Sequence, residues 1–451
     1  MLNEQDIDRC LQMLNGIYEL NESERLAKIQ EFVRSSITLT PDIYSPKNLK
    51  YLFSYPDPIG VFADLLSHYI NSNIHTEECS PVFTHCEVEI IETLLPLVGY
   101  PEGDGIFYPG GTLSNLASVV LATQRTNCDR QQWAILISDH SHYSIGKAAK
   151  ICGIPTILNV KTTTTGVIDL EHLRELVKYI KNNNLNLIYF GCVLGSTILG
   201  TFDPVEQIQK IFQEFSVSPW IHFDAAWGGG VYFSQEGEYY RKLSAFSDSL
   251  VLDFHKFLLA PLLCSVLLVK NKSMLVDDTI VSDPNSPFNL YTNQPSGKYS
   301  LSIKSLQCSR EAYAFKLWLM FKYHGIDRFK NLISKNLDNQ EQFRQKLSDR
   351  VLFVVEPTYF NLCFWFIPPE MEVKETITDY TQIQLEQIQR LNLVISQRIQ
   401  EESFMKTRHA SFNNLPPFIR LIVHHENLTR EIIAEIVTYL YNTYESSACE
   451  I

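Results

Sequence analysis

The 451-residue chain carries 38 basic and 51 acidic residues, a formal net charge of −13, with 45% hydrophobic and 20% charged residues. This is ordinary for a folded protein long enough for two or three domains, and the acidic balance works against nonspecific nucleic-acid binding, which needs basic surface. Its ten cysteines, scattered from Cys10 to Cys449 with no C-x-x-C pair and no Cys/His cluster at zinc spacing, fit reduced thiols and no bound metal.

The N-terminal MLNEQDIDRCLQML has acids where a secretory signal needs a basic stretch and then a long apolar one. The longest apolar run, FLLAPLLCSVLLV, has 13 residues and holds a proline, too short to span a bilayer. The expectation is a soluble cytoplasmic protein with no membrane partner. Residues 1–95 read as a helical segment, because ERLAKIQEFVRS and VFADLLSHYINS have helical apolar spacing and SYPDPIG between them is a breaker. Across 96–325 short apolar strands alternate with helices: WAILIS (133–138), TILNV (156–160), NLIYFG (186–191), WIHFD (220–224), SLVLD (249–253) and CSVLLV (264–269). The alternation predicts an α/β domain, a mostly parallel sheet with helices on both faces. A loop-rich stretch (281–300) and the helical SREAYAFKLWLMFKYHG follow. Residues 326–451 then mix helices with strands FNLCFWFI and FIRLIV, as a small α+β domain does.

In an open α/β sheet, ligands bind beyond the carboxyl ends of the strands. WAILIS runs into Asp139, His140 and His142, NLIYFG into Gly195, Ser196 and Thr197, WIHFD ends on Asp224, and SLVLD runs into His255 and Lys256. Acids, imidazoles, hydroxyls and one lysine thus converge on one edge. Lys256 lies among Phe254, Phe257, Leu258 and Leu259, and burial there favours the neutral amine that attacks a carbonyl. A lysine, a carboxylate and a glycine turn together suggest pyridoxal phosphate, which needs a Schiff-base amine and an acid beside its ring nitrogen. Asp224 suits that acid. YPGGTLSNLASVVLA supplies a helix N-terminus whose N–H groups, with the Thr112 hydroxyl, can hold a phosphate.

GDGIFYPGGTLSN, SDHSHYS, HFDAAWGGG, HK, SLQC-R, FKLWLM and NLCFWFIPP, in that order, resemble the pyridoxal-phosphate-dependent group II amino acid decarboxylases. The likeness runs from about residue 60 to near the C-terminus and is greatest to animal-type glutamate and cysteine sulfinate decarboxylases. It implies the aspartate-aminotransferase-like fold (fold type I) and a homodimer with active sites at the subunit interface. It also implies the roles. Lys256 would form the Schiff base, Asp224 would pair with the pyridine nitrogen, and His142 and Ala226 would lie on opposite ring faces. Gly111, Thr112 and His255 would bind the phosphate, Thr197 would lie near the ring, and Arg420 would bind a substrate carboxylate. The implied reaction turns an L-amino acid, foremost an acidic one (glutamate, aspartate or cysteine sulfinate), into its amine and CO₂.

Three places depart from the family pattern. SPKNLKYLFSYP keeps Pro46 but puts Lys50 and Tyr51 where relatives have asparagine and glutamine near the substrate side chain. DFHK puts Asp253 where relatives have asparagine, an acid repulsive to phosphate unless neutralised. The loop that donates a tyrosine proton has its counterpart near 276–299, where Tyr291 is the candidate. Cys308 reads as a buried structural thiol. The rival readings are a decarboxylase of a non-acidic amino acid, a carbon–carbon lyase or aldehyde synthase, and a cofactor-binding pseudoenzyme.

Overall fold

The computed structural model describes residues 4–275, 299, 301–347, 349–413 and 415–450. Its larger sheet has seven strands: β1 (Asp104–Tyr108), β2 (Trp133–Ser138), β3 (Thr156–Val160), β4 (Asn186–Val193), β5 (Trp220–Asp224), β6 (Ser249–Asp253) and β7 (Ser265–Val269), in the order β1-β7-β6-β5-β4-β2-β3. Strands β6, β5, β4, β2 and β3 run parallel, and β7 is antiparallel to both its neighbours. This is the mostly parallel sheet that the strand–helix alternation predicts.

Its strands read as unbroken apolar runs because helices cover both faces. On β2, Ala134 and Leu136 join one core with Phe190, Phe223 and Leu252, while Ile135 and Ile137 join the other with Ile145, Tyr189 and Leu267. The helix Leu170–Asn182 shows how local signals agree with this packing. Asp169 caps it by accepting from the N–H groups of Glu171 and His172, and it buries Leu173, Val177 and Ile180 along one stripe.

Strand β1 is a difference from the sequence reading, which gives YPGG as a turn opening a helix and assigns no strand before it. Two glycines hide the strand. A Cβ at Gly105 would sit 2.6 Å from the Leu268 side chain, so the glycine serves close approach to β7 and not a turn. The predicted helix at 309–325 is also shorter, beginning at Phe315.

The smaller sheet holds β8 (Val351–Phe353), β9 (Asn361–Phe366), β10 (Arg408–Ala410) and β11 (Phe418–Ile422), antiparallel in the order β10-β11-β9-β8. On β9, Leu362, Phe364 and Phe366 pack against Leu391, Ile395 and Ile399 of the helix Gln382–Glu402. The N-terminal segment returns to this sheet: Leu49 N–H donates to Lys406 (2.8 Å), and Ile422 N–H donates to Leu49 (2.9 Å). That pairing carries Lys50 and Tyr51 to the side of β11 that bears Arg420.

Burial holds the imidazoles of His140, His222 and His424 neutral, with pKa values lowered to about 4, about 4 and about 3. A histidine with a depressed folded pKa contributes stability that is full above its unfolded value near 6.5 and lost as pH falls towards the folded value. For His222 the whole window is worth about 3 kcal/mol. Asp203, raised to about 6 by burial, works the other way between about pH 4 and 6. Burial also lowers His142, His255 and His425 and raises Asp64 and Asp248, so among the described residues six histidines stand against three aspartates. The melting temperature is therefore expected to drop by several degrees from pH 7.5 to pH 5, and scanning calorimetry showing a rise on acidification would contradict this.

Candidate active site

The C-terminal ends of β4, β5 and β6 and the N-terminus of the helix Gly111–Gln124 enclose a cavity of about 300 Å³. Gly111, Thr112, His142, Thr197, Asp224, Ala226, His255 and Lys256 all line it. Eight positions scattered over 146 residues of sequence thus meet at one sheet edge. Each follows a strand whose apolar run fixes where the chain emerges.

The helix Gly111–Gln124 opens on Gly110 at φ 92° with no side-chain cap, which leaves its positive end facing the cavity. A Cβ on Gly111 would lie 2.8 Å from Asp253 Oδ2, so any side chain there would have to displace that carboxylate. Asp253 itself is almost fully buried, and the Lys256 ammonium lies 2.9 Å from its Oδ2, with His255 Nε2 at 3.7 Å. Its charge is neutralised locally, which answers the repulsion that an acid beside a phosphate raises.

The same pair corrects one expectation. Burial pushes the Lys256 pKa down, but the Asp253 carboxylate more than reverses this and raises it above the ordinary lysine value. The lysine therefore rests as an ammonium rather than as a neutral amine. Its side chain keeps 23% of its surface accessible where it faces the cavity.

Across the cavity, Asp224 Oδ1 accepts from the Ala226 N–H (3.2 Å) and Oδ2 accepts from Asn115 Nδ2 (3.1 Å). His142 caps the helix Tyr143–Ile151 and holds Ser144 Oγ at 2.7 Å, with burial lowering its pKa. Asp224 also acts electrostatically on Lys256 and on His142, so acid, amine and imidazole share one small volume.

These features fit pyridoxal phosphate. The uncapped glycine-rich helix end suits its phosphate, the lysine its aldehyde carbon, and the carboxylate its ring nitrogen. Bound there, it supplies an electron sink for bond cleavage at an amino acid's Cα.

Arg420 and Tyr51 lie outside this cavity. They line a larger one, about 1220 Å³, together with Lys50, Lys406, Arg408 and His409, and Thr197 belongs to both. The Arg420 Nη1 and Nη2 groups donate to the carbonyls of Thr197 (3.1 Å) and Lys50 (3.2 Å), while its buried Nε has no partner among the described residues. Tyr291 lies outside the described residues. Cys308 is exposed, not buried, and its thiol meets His75 at 3.4 Å. The motif reading overlooks Asn115, Tyr143 and Ser144. Asn115 ends the quoted GGTLSN, four residues beyond Gly111, so one helical turn places both on the same side.

The chain is similar to several known decarboxylases. Human cysteine sulfinic acid decarboxylase is 30% identical over 425 residues, covering 91% of this chain and 84% of its own, and a Xenopus tropicalis acidic amino acid decarboxylase is 29% identical over 440 residues, covering 93% and 84%. Among solved structures, mouse CSAD superposes with a TM-score of 0.80 at 24% identity, covering 98% of this chain and 99% of its own. Catharanthus roseus tryptophan decarboxylase gives the same TM-score at 21% identity, covering 94% and 88%. No helix among the described residues is long and apolar enough to cross a membrane. The pyridoxal-dependent decarboxylase conserved domain matches residues 19–367, more than three quarters of the sequence. The chain therefore belongs to the pyridoxal-dependent decarboxylases, fold type I carboxy-lyases that work through pyridoxal phosphate.

Proposed function

We propose that the enzyme decarboxylates an acidic L-amino acid, with glutamate, aspartate and cysteine sulfinate the leading candidates. The observation that carries this is the charge of the larger cavity. Lys50, Lys406, Arg408 and Arg420 line it against only Asp6 and Asp42, and Arg420 makes no ion pair among the described residues. Buried guanidinium groups seek carboxylates, which they bind through paired N–H donors. Lys50 stands where relatives carry an amide, and a cation there suits an acidic side chain better than an aromatic one. The substrates in the names of the human and Xenopus relatives support the same class.

In this reading Lys256 supplies the amine that holds the cofactor, Gly111, Thr112 and His255 secure its phosphate, and Asp224 keeps the ring nitrogen protonated. His142 and Ala226 bound the ring, and Thr197 lies where the two cavities meet. Arg420 and Tyr51 would hold the substrate and orient it toward the cofactor site. Tyr291 is the proposed donor of the proton that replaces CO₂.

A homodimer is part of the proposal. On the helix Glu22–Leu39 no residue is buried, and Leu26, Ile29, Val33 and Ile37 form an exposed stripe at helical spacing. Such a stripe wants a cover, and a second copy provides one. Sedimentation at twice 51.9 kDa tests this. A cytoplasmic setting suits the reduced thiols.

The deciding experiment supplies pyridoxal phosphate to the purified protein and measures CO₂ and amine across the standard amino acids plus cysteine sulfinate. Fastest release from an acidic substrate is expected. Preference for an aromatic one, or an aldehyde product, overturns the reading. Arg420→Ala should raise KM about 10- to 100-fold while leaving the cofactor's absorbance intact, the loss expected for a hydrogen bond between charged groups. Unchanged kinetics would remove Arg420 from the site.

A further inference from the structure

Behind Asp224 and His142 lies a run of polar groups that the proposed chemistry does not use. Trp220 Nε1 meets Ser249 Oγ at 2.8 Å, and Ser249 Oγ meets His222 Nδ1 at 2.8 Å. His222 Nε2 lies 2.9 Å from Asn115 Oδ1. The Asn115 amide nitrogen then forks, to Asp224 Oδ2 at 3.1 Å and to Ser144 Oγ at 2.9 Å. Ser144 Oγ completes the run at His142 Nδ1, 2.7 Å away. Asn115, Ser144, His222 and Ser249 are each at most 1% exposed.

Only one set of proton positions satisfies every link. The Trp220 indole only donates, so Ser249 accepts from it and keeps its own proton free for His222 Nδ1. The Asp224 carboxylate only accepts, so the Asn115 atom facing it is the amide nitrogen and the carbonyl faces His222. His222, neutral through burial, must then carry its proton on Nε2. On the other branch Ser144 accepts from Asn115 and donates to His142 Nδ1, which also faces the Ser144 N–H at 3.4 Å. The proton of neutral His142 is left on Nε2.

We infer that Asn115 is a positioning residue that sets both sides of the cofactor cradle at once, holding Asp224 by one amide hydrogen and fixing the His142 tautomer through Ser144 by the other. The order is set from Asp224, which only accepts and so orients the Asn115 amide, and the Asn115 carbonyl then sets the His222 tautomer. The link to the cofactor rests on the proposed roles of Asp224 and His142, but the tautomers themselves do not.

The test starts on cofactor-free enzyme labelled with ¹⁵N-histidine. Both His142 and His222 should be Nε2–H tautomers at pH 7.5, and finding either as Nδ1–H overturns the inference whatever the enzyme's substrate. Ser144→Ala should raise the Nδ1–H fraction of His142 and leave His222 unmoved, whereas Ser249→Ala should move His222. Asn115→Leu should shift both imidazoles and weaken pyridoxal phosphate binding about tenfold or more. An Asn115→Leu enzyme with wild-type affinity and wild-type tautomers refutes the coupling. Should that variant not fold, Ser144→Ala and Ser249→Ala decide, because unchanged tautomers in both are equally fatal.

Discussion

Lys256→Ala is expected to lower the rate of CO₂ release by on the order of 10³-fold or more, and to abolish the adduct that borohydride reduction traps between cofactor and protein. The lysine is the amine that faces the cavity from beside the helix end, and Asp253 holds it in place at 2.9 Å. Its removal has a second consequence. Asp253 is buried, and Lys256 is the nearest positive charge to it, so alanine strands a carboxylate without its counter-ion. Breaking a buried ion pair from one side commonly costs about 3–5 kcal/mol. Without its partner, burial drives the Asp253 pKa up, so the added instability grows as pH rises above the unfolded aspartate value near 4. Lys256→Arg separates the two effects, because guanidinium restores the charge beside Asp253 without supplying the amine. It should melt closer to wild type than the alanine variant and still trap no adduct. An adduct that persists in either variant places the Schiff base on another lysine.

The strands of the large sheet are legible because helices bury both their faces, so WAILIS, WIHFD and SLVLD need no alternation to be recognised. Strand β1 is not legible for the opposite reason: Gly105 is there for the neighbouring Leu268, and nothing local distinguishes such a glycine from one that makes a turn. The three-residue strands β8 and β10 are too short to show a period. The site follows the same division. Residues that emerge directly from strand ends, such as Asp224 and Lys256, can be placed from their order in the sequence. Asn115 cannot, because its meaning lies in His222 and Ser144, 107 and 29 residues away. The resting charge of Lys256 is misjudged for a related reason. Burial can be inferred from flanking phenylalanines and leucines, but the sign of the shift depends on whether Asp253, three residues earlier, turns towards the amine, and here the short helical turn Phe254–Phe257 brings it round.

Asp224→Asn should lower kcat by about 10²- to 10⁴-fold while leaving the borohydride-trapped adduct in place. The substitution keeps the side chain's shape but leaves a single oxygen, so only one of the two donors, the Asn115 amide or the Ala226 N–H, keeps its acceptor. What is lost is the negative charge. Asp224 would keep the ring nitrogen of the bound cofactor protonated, the state in which the cofactor supplies an electron sink. Neutral asparagine can instead donate to an unprotonated ring nitrogen, which holds the ring without making it an acceptor. The rate factor corresponds to about 3–5 kcal/mol, the size expected when one member of a desolvated charge pair is removed. KM should change far less than kcat, because Arg420 and Lys50 belong to the larger cavity and are untouched. The contrast with Lys256→Ala is diagnostic: one variant loses rate together with its covalent link, the other loses rate and keeps it. A turnover within tenfold of wild type for Asp224→Asn would remove Asp224 from the role of partner to the ring nitrogen.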